Sequence, residues 1–241
     1  MKIIKIALLL ASPLLLLSCK DEKETPKVRY DSTKAKTEVK ADTTQLKVAD
    51  LPINFNGTSY LIHPVGDLNI YEKGSKSSFE SSRYDGDQSF RVSNNNDYEI
   101  TGYLQNLKFQ QIGSDSIKTL SDKPILIETA TYLKSIADKT KKQIIVYSLS
   151  DSDTNKDEKM NGNDIKALYI STISGEKFTK LSADFQELID WNILEAQNRL
   201  YFRVIEDINK NGAFDKEDKV HYHYVNLATN DWKVEEYDPI K

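Results

Sequence analysis

The sequence predicts an all-β domain behind a polar N-terminal stretch. The expected fold is a propeller-like array of antiparallel four-stranded blades, or else a β-sandwich or an incomplete propeller. Three observations lead there. Runs rich in β-branched and aromatic residues recur between polar turns, as in Ile144-Ile145-Val146-Tyr147 and Leu200-Tyr201-Phe202-Arg203-Val204. Four such runs, at 168–172, 177–181, 188–194 and 200–205, fall within about 40 residues, the size of one propeller blade. About 190 of the 241 residues remain once the polar stretch is set aside, which suits one domain.

Residues 1–18 read as a sorting signal. Lys2 and Lys5 form the charged region, and residues 6–17 form an apolar core, interrupted by Pro13, that is short for a membrane span. The core ends in Leu16-Leu17-Ser18-Cys19, which resembles a bacterial lipobox. The resemblance implies cleavage before Cys19 and acylation of its thiol by a palmitate-type chain; the alternative is an ordinary secretory signal with an incidental cysteine. Cys19 is the only cysteine, so no intrachain disulfide can form. The following Lys20-Asp21-Glu22 resembles an export signal of Gram-negative surface lipoproteins, which implies the outer membrane, facing the cell surface, with the periplasmic face as the alternative. Residues 19–52, rich in Lys, Asp, Glu and Thr, are expected to be a flexible tether with an r.m.s. reach of roughly 30 Å. Residues 53–241 are expected to form the domain.

Strand-like segments precede the blade-sized group at 60–65, 89–92, 98–102, 103–109, 116–120, 125–133 and 143–149, although 128–139 reads equally well as a short helix. The segment from Leu168 to Ser182 has an apolar-aromatic strand, a turn ending in Gly175 and a second strand closing on Leu181-Ser182. It resembles the repeat of TolB-type (WD-like) β-propellers over about one blade, with Ser174 where that family usually has Asp. Segments 222–227 and 232–237 look like half of another blade, placed to close a ring with N-terminal strands.

Two polar stretches carry the clearest chemistry. Residues 153–164 and 207–218 both place Asp or Asn at positions 1, 3, 5, 9 and 12 and an apolar residue at position 8. That is the spacing of an EF-hand calcium loop, in which alternate side chains and the backbone carbonyl of position 7 surround a hard cation. The expected ligands are Asp153, Asn155, Asp157, the carbonyl of Lys159, Asn161 and Asp164 in the first loop. In the second they are Asp207, Asn209, Asn211, the carbonyl of Ala213, Asp215 and Asp218. Two Ca2+ sites are expected; the alternative is a pair of Asn/Asp-rich turns that bind nothing. Glu158 stands at position 6, where glycine is usual and where the second loop has Gly212. Both loops end in Asp rather than Glu, which predicts modest affinity. Strand-like sequence flanks both loops, so the helix-swinging switch of calmodulin-type sensors is not expected.

Other chemistries are weakly represented. Removing Lys2 and Lys5 with the signal leaves 31 basic and 37 acidic residues, a net charge of −6, which makes the chain a poor nucleic-acid binder. His221 and His223 share one face of a strand and, with Asp218, read either as zinc ligands or as plain strand residues. No Gly-x-Ser-x-Gly elbow, phosphate loop or Cys–His pair is present. The thirteen tyrosines and two tryptophans are high for this length and suit a strand core, with some left for a platform that binds carbohydrate or peptide. The leading expectation is a non-enzymatic, lipid-anchored, calcium-stabilised module that binds a protein or glycan at the cell envelope. The rival is an envelope hydrolase, carbohydrate-active among the options, whose active site the sequence does not reveal.

Overall fold

The structure, a computed structural model, describes residues 26–30, 45–69 and 91–241. The signal region, Cys19, Lys20-Asp21-Glu22 and part of the strand expected at 89–92 lie outside the described residues. The fold is all-β, with fourteen strands in three antiparallel sheets and one short helix among the described residues.

The first sheet has the order β1 (Gln45–Ala49), β2 (Tyr60–Asn69), β5 (Asn106–Gln111), β6 (Ile117–Thr119). The second runs β10 (Thr179–Lys180), β9 (Ala167–Thr172), β8 (Ile144–Ser150), β7 (Leu126–Tyr132), β4 (Glu99–Leu104), β3 (Ser93–Asn95). The third is a simple meander of β11 (Gln186–Leu194), β12 (Arg199–Glu206), β13 (Lys219–Asn226) and β14 (Val234–Tyr237). Within residues 128–139 both readings hold in part: β7 ends at Tyr132, and α1 (Lys134–Thr140) follows, closed by Lys141 at φ 63°.

The second sheet is the middle layer, and β8 explains why. All seven of its residues are buried, because each of its two faces meets another sheet. Ile145, Tyr147 and Leu149 join Ile62, Leu107 and Phe109 of the first sheet in one core. Ile144 and Val146 join Phe202, Val204 and Val225 of the third sheet in the other. An apolar run without alternation is what a strand covered on both faces requires.

Three expectations change. The four runs between 168 and 205 do not form one blade: β9 and β10 belong to the middle sheet, β11 and β12 to the third. Leu181 and Leu188 bound the crossing between them and both bury into the same core, so the chain changes sheets without leaving apolar cover. The strands at the two chain ends do not close a ring among the described residues, since β14 pairs with β13 and β1 with β2. Finally, the stretch expected as tether contains packed structure. Gln45–Ala49 pairs along β2, and within residues 26–30 Val28 is 2% exposed.

Candidate metal centre

Each polar loop joins two paired strands of a single sheet. Residues 153–164 lie between β8 and β9, and 207–218 between β12 and β13. Neither loop bridges two sheets, as a blade-to-blade repeat would have it. The strands fix both ends of each loop, and the loop polar groups fix what lies between.

The two loops have the same internal hydrogen bonding. The position 1 carboxylate accepts the N–H groups of positions 5 and 6: Asp153 from Asp157 (3.1 Å) and Glu158 (2.9 Å), Asp207 from Asn211 (3.2 Å) and Gly212 (2.7 Å). The position 12 carboxylate accepts from positions 2 and 9: Asp164 from Thr154 (2.8 Å) and Asn161 (2.9 Å), Asp218 from Ile208 (3.2 Å) and Asp215 (2.9 Å). The bonds from the position 5 N–H to Asn155 and Asn209, and from the position 7 N–H to Asp157 and Asn211, also recur. So do those from the position 11 N–H to the position 9 side chain, in Asn163–Asn161 and Glu217–Asp215. Positions 4 and 6 are left-handed in both loops: Lys156 (φ 59°) and Glu158 (φ 68°) in one, Lys210 (φ 57°) and Gly212 (φ 85°) in the other. Seven backbone N–H bonds thus recur at the same positions in both loops.

Side chains converge where an ion would need them. In the first loop the Nδ2 atoms of Asn155 and Asn161 both lie 3.3 Å from Asp157 Oδ2. In the second, Asn211 Nδ2 lies 3.4 Å from Asp215 Oδ2. The amide and the carboxylate have exchanged positions 5 and 9 between the loops, yet the same pair meets. The Oδ1 atom of each of these amides accepts a backbone N–H of its own loop, so Nδ2 is the group turned toward the carboxylate. Each loop thus offers three carboxylates, two amides and one carbonyl, a hard-oxygen set suited to Ca2+. Among the described residues no three His, Cys, Asp or Glu side chains cluster tightly enough to hold a metal unaided.

Burial sharpens the electrostatics. Asp164 and Asp207 are 1% and 3% exposed, and Asn155 is also buried. Burial pushes the Asp164 carboxyl above its ordinary range, even though three backbone N–H groups pull the other way, and the neighbouring Asp153 adds to the rise. A carboxylate in that position gains from a nearby cation. Each loop carries four acids and two lysines, a net −2. The donor chemistry and the burial both fit a divalent calcium ion.

Segment 26–30 had no counterpart in the sequence reading. Arg29 N–H donates to the carbonyl of Thr154 (2.9 Å), and Val28 N–H donates to that of Gly212 (3.3 Å). Thr154 Oγ1 donates to the carbonyl of Lys27 at 2.7 Å, and the Lys27 ammonium pairs with Glu187 at 2.7 Å. Consecutive residues therefore bond to different loops, and the two loops lie side by side. Tyr30 donates its hydroxyl to Asp207 and packs its ring 5.9 Å from Phe185; burial, then this bond, raises its pKa to about 12. Met160 and Phe214, the apolar residues at position 8, are half-buried.

The histidine pair takes another arrangement. His221 lies between Glu206 (2.7 Å) and Glu236 (3.2 Å), and its ring stacks 6.1 Å from His223. Asp218 is turned into its loop, away from any zinc set with them. On the opposite face of the third sheet, Tyr201, Tyr222, Tyr224 and Tyr237 form a connected group with centroids 5.4–6.0 Å apart. The Arg199 guanidinium sits 4.2 Å above the ring of Tyr224.

No protein-family model matches the chain, and no curated protein is similar to it.

Proposed function

We propose that this chain is a lipid-anchored envelope module that binds a protein or glycan partner, is stabilised by two calcium ions and has no catalytic role. The observation that carries the calcium part is the recurrence of one hydrogen-bond pattern in two loops whose ligand-type side chains converge. Asp at position 12 and the residue at position 6 of the first loop favour the weak range of extracellular modules, with Kd of roughly 0.1–1 mM. At about 1 mM calcium and a Kd near 0.1 mM, each filled site adds roughly 1.4 kcal/mol. Paired strands hold the ends of both loops, so filling them orders the loops and leaves the sheets in place. As to the finer fold, the three stacked sheets are best described as a layered, sandwich-like arrangement.

The partner-binding part draws on the tyrosine group of the third sheet, whose rings stand tilted or edge-on to one another with the Arg199 guanidinium over Tyr224. The anchoring part draws on the lipobox-like Leu16-Leu17-Ser18-Cys19. Thermal unfolding against calcium, with magnesium as the control, tests the stabilising role. A melting temperature that ignores both millimolar calcium and chelator overturns it. Labelling with a radioactive fatty acid tests the anchor: label should be lost in Cys19→Ala, and label that persists there refutes acylation at Cys19.

A further inference from the structure

We infer that residues 26–30 form a clasp that calcium locks across the two loops, so that the loops fill as a coupled pair. The inference rests on the calcium reading above and deepens it. Its geometry is specific. In the first loop the clasp bonds to position 2, through the Thr154 carbonyl and hydroxyl, and in the second to position 6, through the Gly212 carbonyl. Positions 2 and 6 are not ligand positions, so these bonds leave the ligand groups of both loops to the ion.

They also support each other. The N–H of Gly212 is held by the Asp207 carboxylate while its carbonyl receives Val28. An ion that fixes Asp207 therefore fixes the peptide group that the clasp bonds to. Tyr30 closes the circuit from the other side by donating to the same carboxylate, which makes it a positioning residue for the second site. Reciprocity follows: whatever calcium contributes to clasp closure, the closed clasp returns as calcium affinity. The clasp reaches both loops, so filling either one favours the other.

The approach is too close for any side chain at position 6. A Cβ on Gly212 would lie 2.4 Å from the Val28 carbonyl oxygen and 2.8 Å from Pro26 Cβ. In the first loop the clasp bonds to position 2, and a side chain, Glu158, stands at position 6. The requirement for glycine thus falls on the loop whose position 6 lies beneath the clasp.

The test is amide hydrogen exchange at Val28 and Arg29 in the full chain, with calcium or chelator, beside equilibrium dialysis of radioactive calcium on the same samples. Calcium should slow exchange at both amides at least tenfold. Tyr30→Phe, which keeps the ring against Phe185, should weaken calcium at the second loop about threefold to tenfold and reduce protection at both amides. Gly212→Ala should leave both amides unprotected in calcium while the first loop still binds. Two bound ions with unchanged exchange overturn the clasp and leave the calcium reading standing. No bound calcium overturns both. Tyr30→Phe with full protection and unchanged affinity overturns the role assigned to Tyr30.

Discussion

At position 6 of the loops, two residues hold one backbone conformation at different cost. Gly212 adopts φ 85° without penalty, whereas Glu158 adopts φ 68° with its Cβ against the backbone. Glu158→Gly should therefore stabilise the protein by about 1 kcal/mol, less what the Glu158 side chain contributes, and raise the melting temperature by roughly 2–4 °C. A melting temperature that falls would mean that the side-chain contact outweighs the backbone strain. The two position 1 carboxylates also differ. Asp207 is 3% exposed and accepts from Asn211, Gly212 and Tyr30, while Asp153 is half-buried and accepts from Asp157 and Glu158. Removing a buried acceptor strands its donors at a cost of about 1–3 kcal/mol. Asp207→Ala should thus lose more stability than Asp153→Ala, and more of the calcium-dependent part. The comparison is made by thermal unfolding of both variants with calcium and with chelator; the reverse order would refute the ranking. The shared loop geometry was legible in the sequence because it is local: every candidate ligand lies within twelve residues, at fixed spacing. Asp153 and Asp207 look alike in that spacing, and only burial separates them.

At the scale of single strands, β13 keeps its histidines and tyrosines apart by simple alternation. His221 and His223 share the core-facing side with Val225, while Tyr222 and Tyr224 lie on the other. The His223 ring packs 5.0 Å from Phe202, and its Nδ1 is buried without a hydrogen-bond partner. Burial holds the His223 imidazole below its ordinary range; Glu236 pulls it upward and His221 pushes it further down, with Glu206 facing the far side of His221. The unfolded chain therefore binds a proton at this residue more readily than the folded one does. The stability involved is fully present above the ordinary imidazole pKa and is lost as pH falls through that value toward the lower folded one. His223→Phe, which keeps a ring on Phe202, should show a smaller drop in melting temperature between pH 7 and pH 5 than the parent. Equal drops would show that His223 does not contribute to acid sensitivity. Strand existence was legible from composition, but strand partnership was not. Alternation reports which face a residue takes and is silent about which strand lies alongside, so the runs from 168 to 205 read as one blade although they divide between two sheets. The apolar run Ile144-Ile145-Val146-Tyr147 that opens β8 was the one sequence signal of a middle layer, and it was read simply as a strand.

For the whole molecule, the clasp changes what an anchor at Cys19 would do. The sequence hid it because one buried side chain, Val28, among Pro, Lys, Arg and Tyr, looks like solvated tether, and the backbone bonds that dock it leave no mark on composition. If Cys19 holds the lipid, seven peptide units separate it from Pro26, a span of at most about 25 Å. With the clasp closed, the ion loops are held within that distance of the membrane surface. With it open, the next paired segment is β1 at Gln45, 26 units from Cys19, a span of at most about 90 Å. Calcium should therefore draw the domain toward the bilayer without altering its sheets. Trp191 and Trp232 serve as built-in donors, since both pack at the core between the second and third sheets. In neutral vesicles with a dansyl headgroup lipid, energy transfer from these tryptophans to the acyl-anchored protein's membrane should be stronger in calcium than in chelator. Gly212→Ala should give the weak signal in both. Neutral lipid removes direct calcium bridging to the headgroups, and a Cys19→Ala chain, which should not join the vesicles, sets the background. Equal transfer in calcium and chelator for the anchored parent protein would mean that the clasp does not set the distance between domain and membrane.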